Sequence, residues 1–186
     1  MDVKEAINQR RAYRSLEPVK LTKDLVYDFA ECAQLAASCF NNQSWRYLFV
    51  FDPEMLKEMH NVLSQGNEWA KAASMIIVVF SKKEDDCVIH DREYYLFDTG
   101  MATQSIILRA TELGLIAHPI AGYSPRKTRE VLGIPNDYNV IALIIVGKKS
   151  SKISKVLSDK QIESEKKRPE RIPFDEFVFI DKFKGK

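Results

Sequence analysis

The sequence predicts a layered domain in which helices alternate with strands, of the α/β or α+β class, and three observations predict it. Met75–Phe80 is a continuous apolar run, β-branched at its centre, which reads as a buried strand. Tyr138–Val146 is a second strongly apolar strand. Between them, Asp98–Leu113 reads as a long helix in which only Gln104 and Arg109 are strongly polar from Met101 to Ala110, so it is apolar most of the way round and belongs inside the molecule.

The remaining elements follow from capping and spacing. Asp2 can cap a first helix running through about Arg14. Thr22 can cap a second, in which Leu25, Phe29, Cys32, Ala33 and Ala36 recur at helical spacing. Trp45–Phe51 reads as a strand, and Asp52-Pro53 is a cap followed by proline in the first turn, starting a short helix that ends near Ser64. Gly114 is placed to end the long helix in a left-handed cap. A short strand near Ala117–Ala121 follows, then a helix that starts at Ser124-Pro125 and stops at Gly133. After Gly147 the periodicity fades, and only Phe174–Ile180 reads as a late strand. The expected organisation is a core over residues 1–147 and an extension over residues 148–186.

Composition narrows the class. The chain has 186 residues, the length of one domain or of one domain with an extension, and 45% of them are apolar, including ten Phe and seven Tyr. Disordered, collagenous and disulfide-scaffold classes are excluded. The longest apolar run, Val140–Val146, is far short of the roughly 20 residues of a membrane helix. Met1–Glu5 carries charge where a signal peptide needs an apolar stretch, so the expected location is cytoplasmic. Cys32, Cys39 and Cys87 are odd in number and widely spaced, without a C-x-x-C pair, and are expected to be reduced thiols, not a disulfide framework or a zinc site. Net charge is +2, but residues 148–186 hold 12 basic and 7 acidic side chains. That basic tail could bind nucleic acid, yet its acids are interleaved and it has no aromatic–basic repeat until its end. Its Phe174, Phe177, Val178, Phe179 and Ile180 must pack on something, which suggests an oligomer with an embracing arm.

Three clusters could carry chemistry. Arg10-Arg11-Ala12-Tyr13-Arg14 places Arg10 and Arg14 on one face of the expected helix; it reads either as a solvated basic face or as a phosphate clamp. Ala37 to Trp45 contains three consecutive amides, Asn41-Asn42-Gln43, which serve either as ordinary loop chemistry or as readers of a planar polar ligand. His118-Pro119-Ile120-Ala121-Gly122-Tyr123 is either a tight strand-end turn or a place where a ligand approaches the main chain at Gly122. The chain has no G-x-S-x-G, H-E-x-x-H, P-loop or G-x-G-x-x-G. With arginine-rich and amide-rich loops and no side-chain nucleophile, a bound cofactor is the economical source of chemistry.

Taken together and in order, these clusters resemble the nitroreductase family of FMN-dependent oxidoreductases over essentially the whole chain. The family's R-[RH]-S-x-[RK] is matched by Arg10–Arg14, its P-S-x-x-N-x-Q-P-W by Ala37–Trp45, its P-I-x-G-[FY] by Pro119–Tyr123, and its R-x-P-[LF]-x-[ED] by Arg171–Glu176. The resemblance implies an α+β, three-layer α/β/α sandwich with a mixed central sheet and a C-terminal arm exchanged in a homodimer. It implies that Arg10 and Arg11, joined by Arg171 and Arg168, hold the FMN phosphate, and that Arg14 lies near the N1–O2 edge of the flavin. Ser38, Cys39 and Asn41 would come from the partner subunit, Asn67 would contact the ribityl or pyrimidine side, and Pro119, Ile120, Ala121 and Gly122 would line the ring.

The implied activity is hydride transfer from NAD(P)H through flavin N5 to a small acceptor such as a nitroaromatic or quinone, with no catalytic side chain, no metal, no nucleic acid and no membrane. The same residues would also serve a protein that binds FMN without turning over NAD(P)H. Departures from the family pattern are Ala12 for the phosphate-binding serine, Ala37 and Ser44 for two loop prolines, and Ala121 at a position often acidic in larger members. The covering helical excursion of larger members is expected to shrink to Lys82–Tyr95.

Overall fold

The computed structural model describes residues 1–183. A sheet is built around β7 (Asn139–Lys149), which pairs antiparallel with β3 (Met75–Ser81) on one side and β6 (Leu115–Ile120) on the other. β2 (Arg46–Val50) lies outside β3, again antiparallel. The two-residue β1 (Leu16–Glu17) continues the line of β3 along the end of β7, since Lys148 pairs with both Glu17 and Leu115. Every pairing within the described chain is antiparallel, so the expected mixed sheet is not found inside one subunit. A parallel neighbour needs a long crossover or a strand from elsewhere.

Side chains alternate across the sheet with the strand period of two. Met75, Ile77 and Val79 face α2 (Lys23–Gln34) and α4 (Tyr95–Glu112), packing on Phe29, Ala33, Ala102, Ile106 and Ala110. Ile76 and Val78 face the other way, onto Met59, Val62, Trp69 and Tyr123, with Met55 of α3 (Pro53–Met59) and Val131 and Leu132 of α5 (Pro125–Leu132) at the margin. β3 is buried on both faces, as its unbroken apolar run requires. The result is an α+β sandwich of three layers.

Caps act where the sequence placed them. Asp2, Thr22, Asp52 and Ser124 each accept a backbone N–H of the following turn, and Gly114 and Gly133 take left-handed conformations after α4 and α5. The excursion between β3 and α4 is small: a 3-10 turn at Lys83–Asp85 and a hairpin of β4 (Val88–Ile89) and β5 (Arg92–Glu93). Among the described residues no helix is long and apolar enough to cross a membrane.

Three further expectations are corrected. The first helix, α1 (Val3–Gln9), stops at Gln9 rather than near Arg14, so Arg10 and Arg14 do not share a helix face. Tertiary hydrogen bonds, described below, claim the backbone of residues 13–15 instead. Beyond Gly147, β7 runs on to Lys149, and the extension holds α6 (Asp159–Lys166), which carries a Ser158–Gln161 capping box and buries Glu165, with Leu157 buried just before it. Phe174–Ile180 is not a strand in this chain. It forms one 3-10 turn at Phe174–Glu176, and every described residue from Pro169 onward is exposed, because no strand lies alongside to pair with it. Finally, Cys39 and Cys87 are joined in a disulfide with their Cα atoms 6.0 Å apart, leaving Cys32 free. A 48-residue separation in sequence says nothing about proximity in a folded sheet.

Candidate functional site

The arginines expected to form a clamp do converge. Arg10, Arg11, Ala12 and Arg14 from the N-terminal segment line a cleft of about 180 Å³ together with Ser164, Arg168, Pro169 and Arg171 from the C-terminal one. The ends of the chain are stitched together there. Arg11 Nη2 donates to the Ser164 carbonyl at 2.6 Å, and Arg168 Nη2 donates to the carbonyls of Asn8 and Arg10, the latter at 3.2 Å. The Arg11 guanidinium also lies over the Tyr13 ring, 4.5 Å from its centroid, and Lys149 Nζ is 4.3 Å from the same centroid.

This cleft is electrostatically uncomfortable. Burial, and then the neighbouring charges of Arg168, Arg171 and Arg11, push the pKa of Arg10 below its ordinary value. The repulsion runs between the two chain ends rather than between Arg10 and Arg14, as helical spacing suggested. Ala12 sits in the cleft wall and brings no hydroxyl.

What holds the arginine segment in an extended path is a set of residues that sequence reading missed. The Glu165 carboxylate, buried on α6, accepts the backbone N–H groups of Arg14 at 2.7 Å and Ser15 at 3.2 Å. On the other side, His118 Nδ1 meets the Tyr13 carbonyl at 3.1 Å. Burial pushes the His118 pKa down to about 4, so the ring is neutral at pH 7 and its Nδ1–H donates to that carbonyl. His118 stacks on Trp69 with centroids 4.6 Å apart, and the Arg14 guanidinium lies 5.8 Å over the Trp69 ring. His118 is therefore a structural histidine. No sequence signal picks out Glu165, an acid among many in a mixed-charge tail.

The glycine turn after β6 joins the same network. Asn67 Nδ2 donates to the Gly122 carbonyl at 2.9 Å, and Asn67 Oδ1 accepts from Trp69 Nε1 at 3.2 Å. A Cβ at position 122 would collide with Asn67 Nδ2, so any larger residue must displace the amide that clamps this turn. Asn67 is thus brought to the site, but as a clamp on the turn. Pro119 and Ala121 are exposed beside it, while Ile120 points into the core. A continuous chain of contacts, Gly122–Asn67–Trp69–His118–Tyr13, connects this turn to the arginine cleft.

Ser38, Cys39 and Asn41 lie apart. Among the described residues none of them lines the arginine cleft within one subunit. They belong to a loop over the N-terminal part of α4, where Asp98 Oδ2 accepts from the Cys39 N–H at 2.6 Å and Ser38 Oγ accepts from the Gln43 N–H at 3.0 Å. Burial first, and then the neighbouring Asp86 charge, raise the Asp98 pKa, while the Cys39 N–H opposes that shift. Ser44, where the family pattern has proline, is buried and donates to Asp86 Oδ2 at 2.7 Å, so the loop gains a polar anchor in place of a rigid ring.

Comparison with known proteins covers the sandwich and both clusters. A family model described as "Nitroreductase family" matches residues 52–148. A protein of Archaeoglobus fulgidus, provisionally named NADH dehydrogenase/NAD(P)H nitroreductase, is 30% identical over 146 residues, 76% of this chain and 82% of its own length. Among solved structures, one described as an oxidoreductase containing FMN has a TM-score of 0.84 at 28% identity, covering 100% of this chain and 95% of its own. Another, a provisionally named nitroreductase of Exiguobacterium sibiricum in complex with FMN, has a TM-score of 0.81 at 20% identity, covering 97% and 98%, and supports the fold. The family model over more than half of the chain and the 30% identical relative place it: the chain belongs to the nitroreductase family.

Proposed function

We propose that this nitroreductase-family oxidoreductase is an FMN-dependent, homodimeric NAD(P)H oxidoreductase that reduces a small acceptor of the nitroaromatic or quinone kind. One observation carries the reading: guanidinium groups from both chain ends converge on a single small cleft, where burial and then the neighbouring charges of Arg168, Arg171 and Arg11 depress the pKa of Arg10. A phosphate dianion relieves that repulsion and accepts the forked donors that arginine presents. The residues therefore fit the phosphate of FMN, with Arg10, Arg11, Arg168 and Arg171 holding it.

When bound, the flavin supplies the redox chemistry, accepting hydride equivalents from NAD(P)H and passing them on. The protein's own groups bind and orient. Arg14, held over Trp69, offers a fixed positive charge for the electron-rich edge of a reduced ring. Gly122 keeps side-chain bulk away from the turn where a ring would lie. A cytoplasmic location supplies the nicotinamide reductant.

The dimer is supported by two unsatisfied surfaces. Among the described residues β2 pairs only with β3, and beside it runs an apolar groove of about 710 Å³ lined by Leu48, Phe49, Phe51, Met55, Val131 and Leu132. Among the described residues the tail leaves Phe174, Phe177, Phe179 and Ile180 exposed, touching only other tail aromatics. An exchanged arm, laid by each subunit onto the other's β2 edge, satisfies both and supplies the parallel strand absent from one chain. The same association would bring Ser38, Cys39 and Asn41 to the partner's site.

The experiment is an absorbance spectrum of the protein reconstituted with FMN, followed by rapid mixing with NADPH or NADH. A flavin band near 450 nm (approximate, a property of the cofactor) that bleaches on mixing is expected. Protein that stays colourless after reconstitution refutes the reading. A band that never bleaches makes it a flavin carrier instead. Removing residues 169–186 should yield a monomer that does not retain FMN, read by size-exclusion chromatography.

A further inference from the structure

The Cys39–Cys87 disulfide joins two segments whose positions nothing else fixes covalently. Cys39 opens the turn Cys39–Asn41 in the amide loop, and Cys87 lies in the excursion between the Lys83–Asp85 turn and the β4–β5 hairpin. The loop it ties down is strained. Phe40, Asn41 and Gln43 all have positive φ, at 48°, 58° and 49°, and none is glycine. Asparagine tolerates that region, but for phenylalanine it is unfavourable, and Phe40 is 86% exposed, so no burial of its ring compensates.

The surroundings are built to hold this conformation. Asp98 receives the Cys39 N–H, and Asp86 receives the Cys87 N–H at 2.7 Å and the Ser44 hydroxyl. Asn42 Nδ2 donates at 3.4 Å both to Asp86 Oδ1 and to Cys87 Sγ. Two carboxylates on the floor thus hold the loop from below while the disulfide holds it from the side. Within one subunit both cysteines are only half-buried, and Cys87, which is not among the residues proposed to face the partner's cofactor, offers its sulfur to a thiol in solution, whereas Cys32 sits separately on α2. In a reducing compartment a disulfide is transient and redox-sensing rather than a permanent staple.

We propose that Cys39 and Cys87 are a reversible thiol–disulfide latch that fixes the strained 38–44 loop when oxidised and releases it when a dithiol reduces it. The chemistry balances by exchange. A thiolate of the dithiol attacks one sulfur, breaking the Cys39–Cys87 bond and forming a mixed disulfide. The second thiol of the reductant then displaces the protein sulfur, leaving two protein thiols and one oxidised dithiol, with two electrons and two protons transferred. Once the bond is cut, only hydrogen bonds oppose relaxation of Phe40 out of the left-handed region. The consequence for flavin binding rests on the function proposed above, in which this loop faces the partner's cofactor; the latch itself does not.

The test uses the full-length protein in native buffer, oxidised with diamide or reduced with dithiothreitol. Alkylation of the oxidised protein should label one thiol, Cys32, and peptide mapping should recover a Cys39–Cys87 link; the reduced protein should label all three. Chymotryptic cleavage after Phe40 should run about tenfold faster in the reduced form, because a released loop opens more often. Cys87→Ser should be cut at the fast rate in either buffer, and Cys32→Ser should respond as the parent does. FMN affinity should fall about tenfold on reduction, since an unlatched loop must be ordered on binding. Three labelled thiols after diamide, or equal cleavage rates in the two states, would overturn the latch. Redox-dependent labelling and cleavage in a protein that never binds FMN would leave the latch standing and sink the proposed function.

Discussion

Replacing Glu165 tests the scaffolding of the arginine cleft without touching an arginine. Its carboxylate is the acceptor for two main-chain donors, Arg14 N–H and Ser15 N–H, and Glu165→Ala leaves both without a partner. A hydrogen bond to a charged group contributes about 1.5–3 kcal/mol. Glu165 is 9% exposed, so water can partly replace the lost acceptor, and the lower bound is the appropriate one. Two such bonds give about 3 kcal/mol. For a domain of this size that corresponds to a fall in Tm of about 6–12 °C. Glu165→Gln keeps one acceptor oxygen and turns an NH₂ toward the second donor, so it should lose roughly half as much. Thermal unfolding of the flavin-free protein, monitored by circular dichroism, measures this directly. A fall of less than about 2 °C for the alanine variant, or equal effects of the two substitutions, would refute the assignment of Glu165 as the anchor of residues 13–15.

Three other outcomes follow from the same contacts. Arg10→Ala should weaken FMN binding about ten- to a hundredfold, the loss of one charge-assisted contact, while the flavin-free protein keeps or gains Tm because a repelling charge is gone; fluorescence titration and melting read the two effects, and a destabilised apoprotein with unchanged affinity contradicts the clamp. Gly122→Ala should cost about 1–3 kcal/mol in urea unfolding, because its Cβ must displace the Asn67 amide that holds the turn. His118 titrates near pH 6.5 when unfolded and at about 4 when folded, so the unfolded chain binds the extra proton and stability falls as pH drops from about 6.5 to about 4. The full loss is about 3 kcal/mol, and His118→Asn should flatten that part of the urea-midpoint profile; an unchanged slope argues against a buried neutral ring.

The parts of the fold legible from sequence are those in which local signals and tertiary packing agree. β3 and β7 announce themselves as apolar runs because they are covered on both faces, and α4 as an apolar helix because it lies under the sheet. Asp52-Pro53 and Ser124-Pro125 start helices where a cap and a first-turn proline say they should. The arginine segment was misread as helix because its stop is imposed from 150 residues away, by Glu165, and no local residue records it. α6 is illegible because its amphipathic face is weak and, of its own residues, only Ile162 reaches the apolar core, although its capping box stands in the sequence. The converging arginines stand out by residue type, whereas Trp69, which lies under the Arg14 guanidinium, and His118, which holds the Tyr13 carbonyl, look like ordinary core residues in a linear string.

The long-range ties at Arg11, Glu165 and Arg168 have a consequence for biosynthesis. Among the described residues the strand pairings end at Lys149 and the apolar clusters at Ile162, so the apolar body can form before the polar ties of Ser164, Glu165 and Arg168 are made. The anion cradle closes only after Arg168 and Arg171 have emerged. On the function proposed above, flavin loading is thereby deferred until Arg168 and Arg171 are available, and a chain stalled before them would be folded yet colourless.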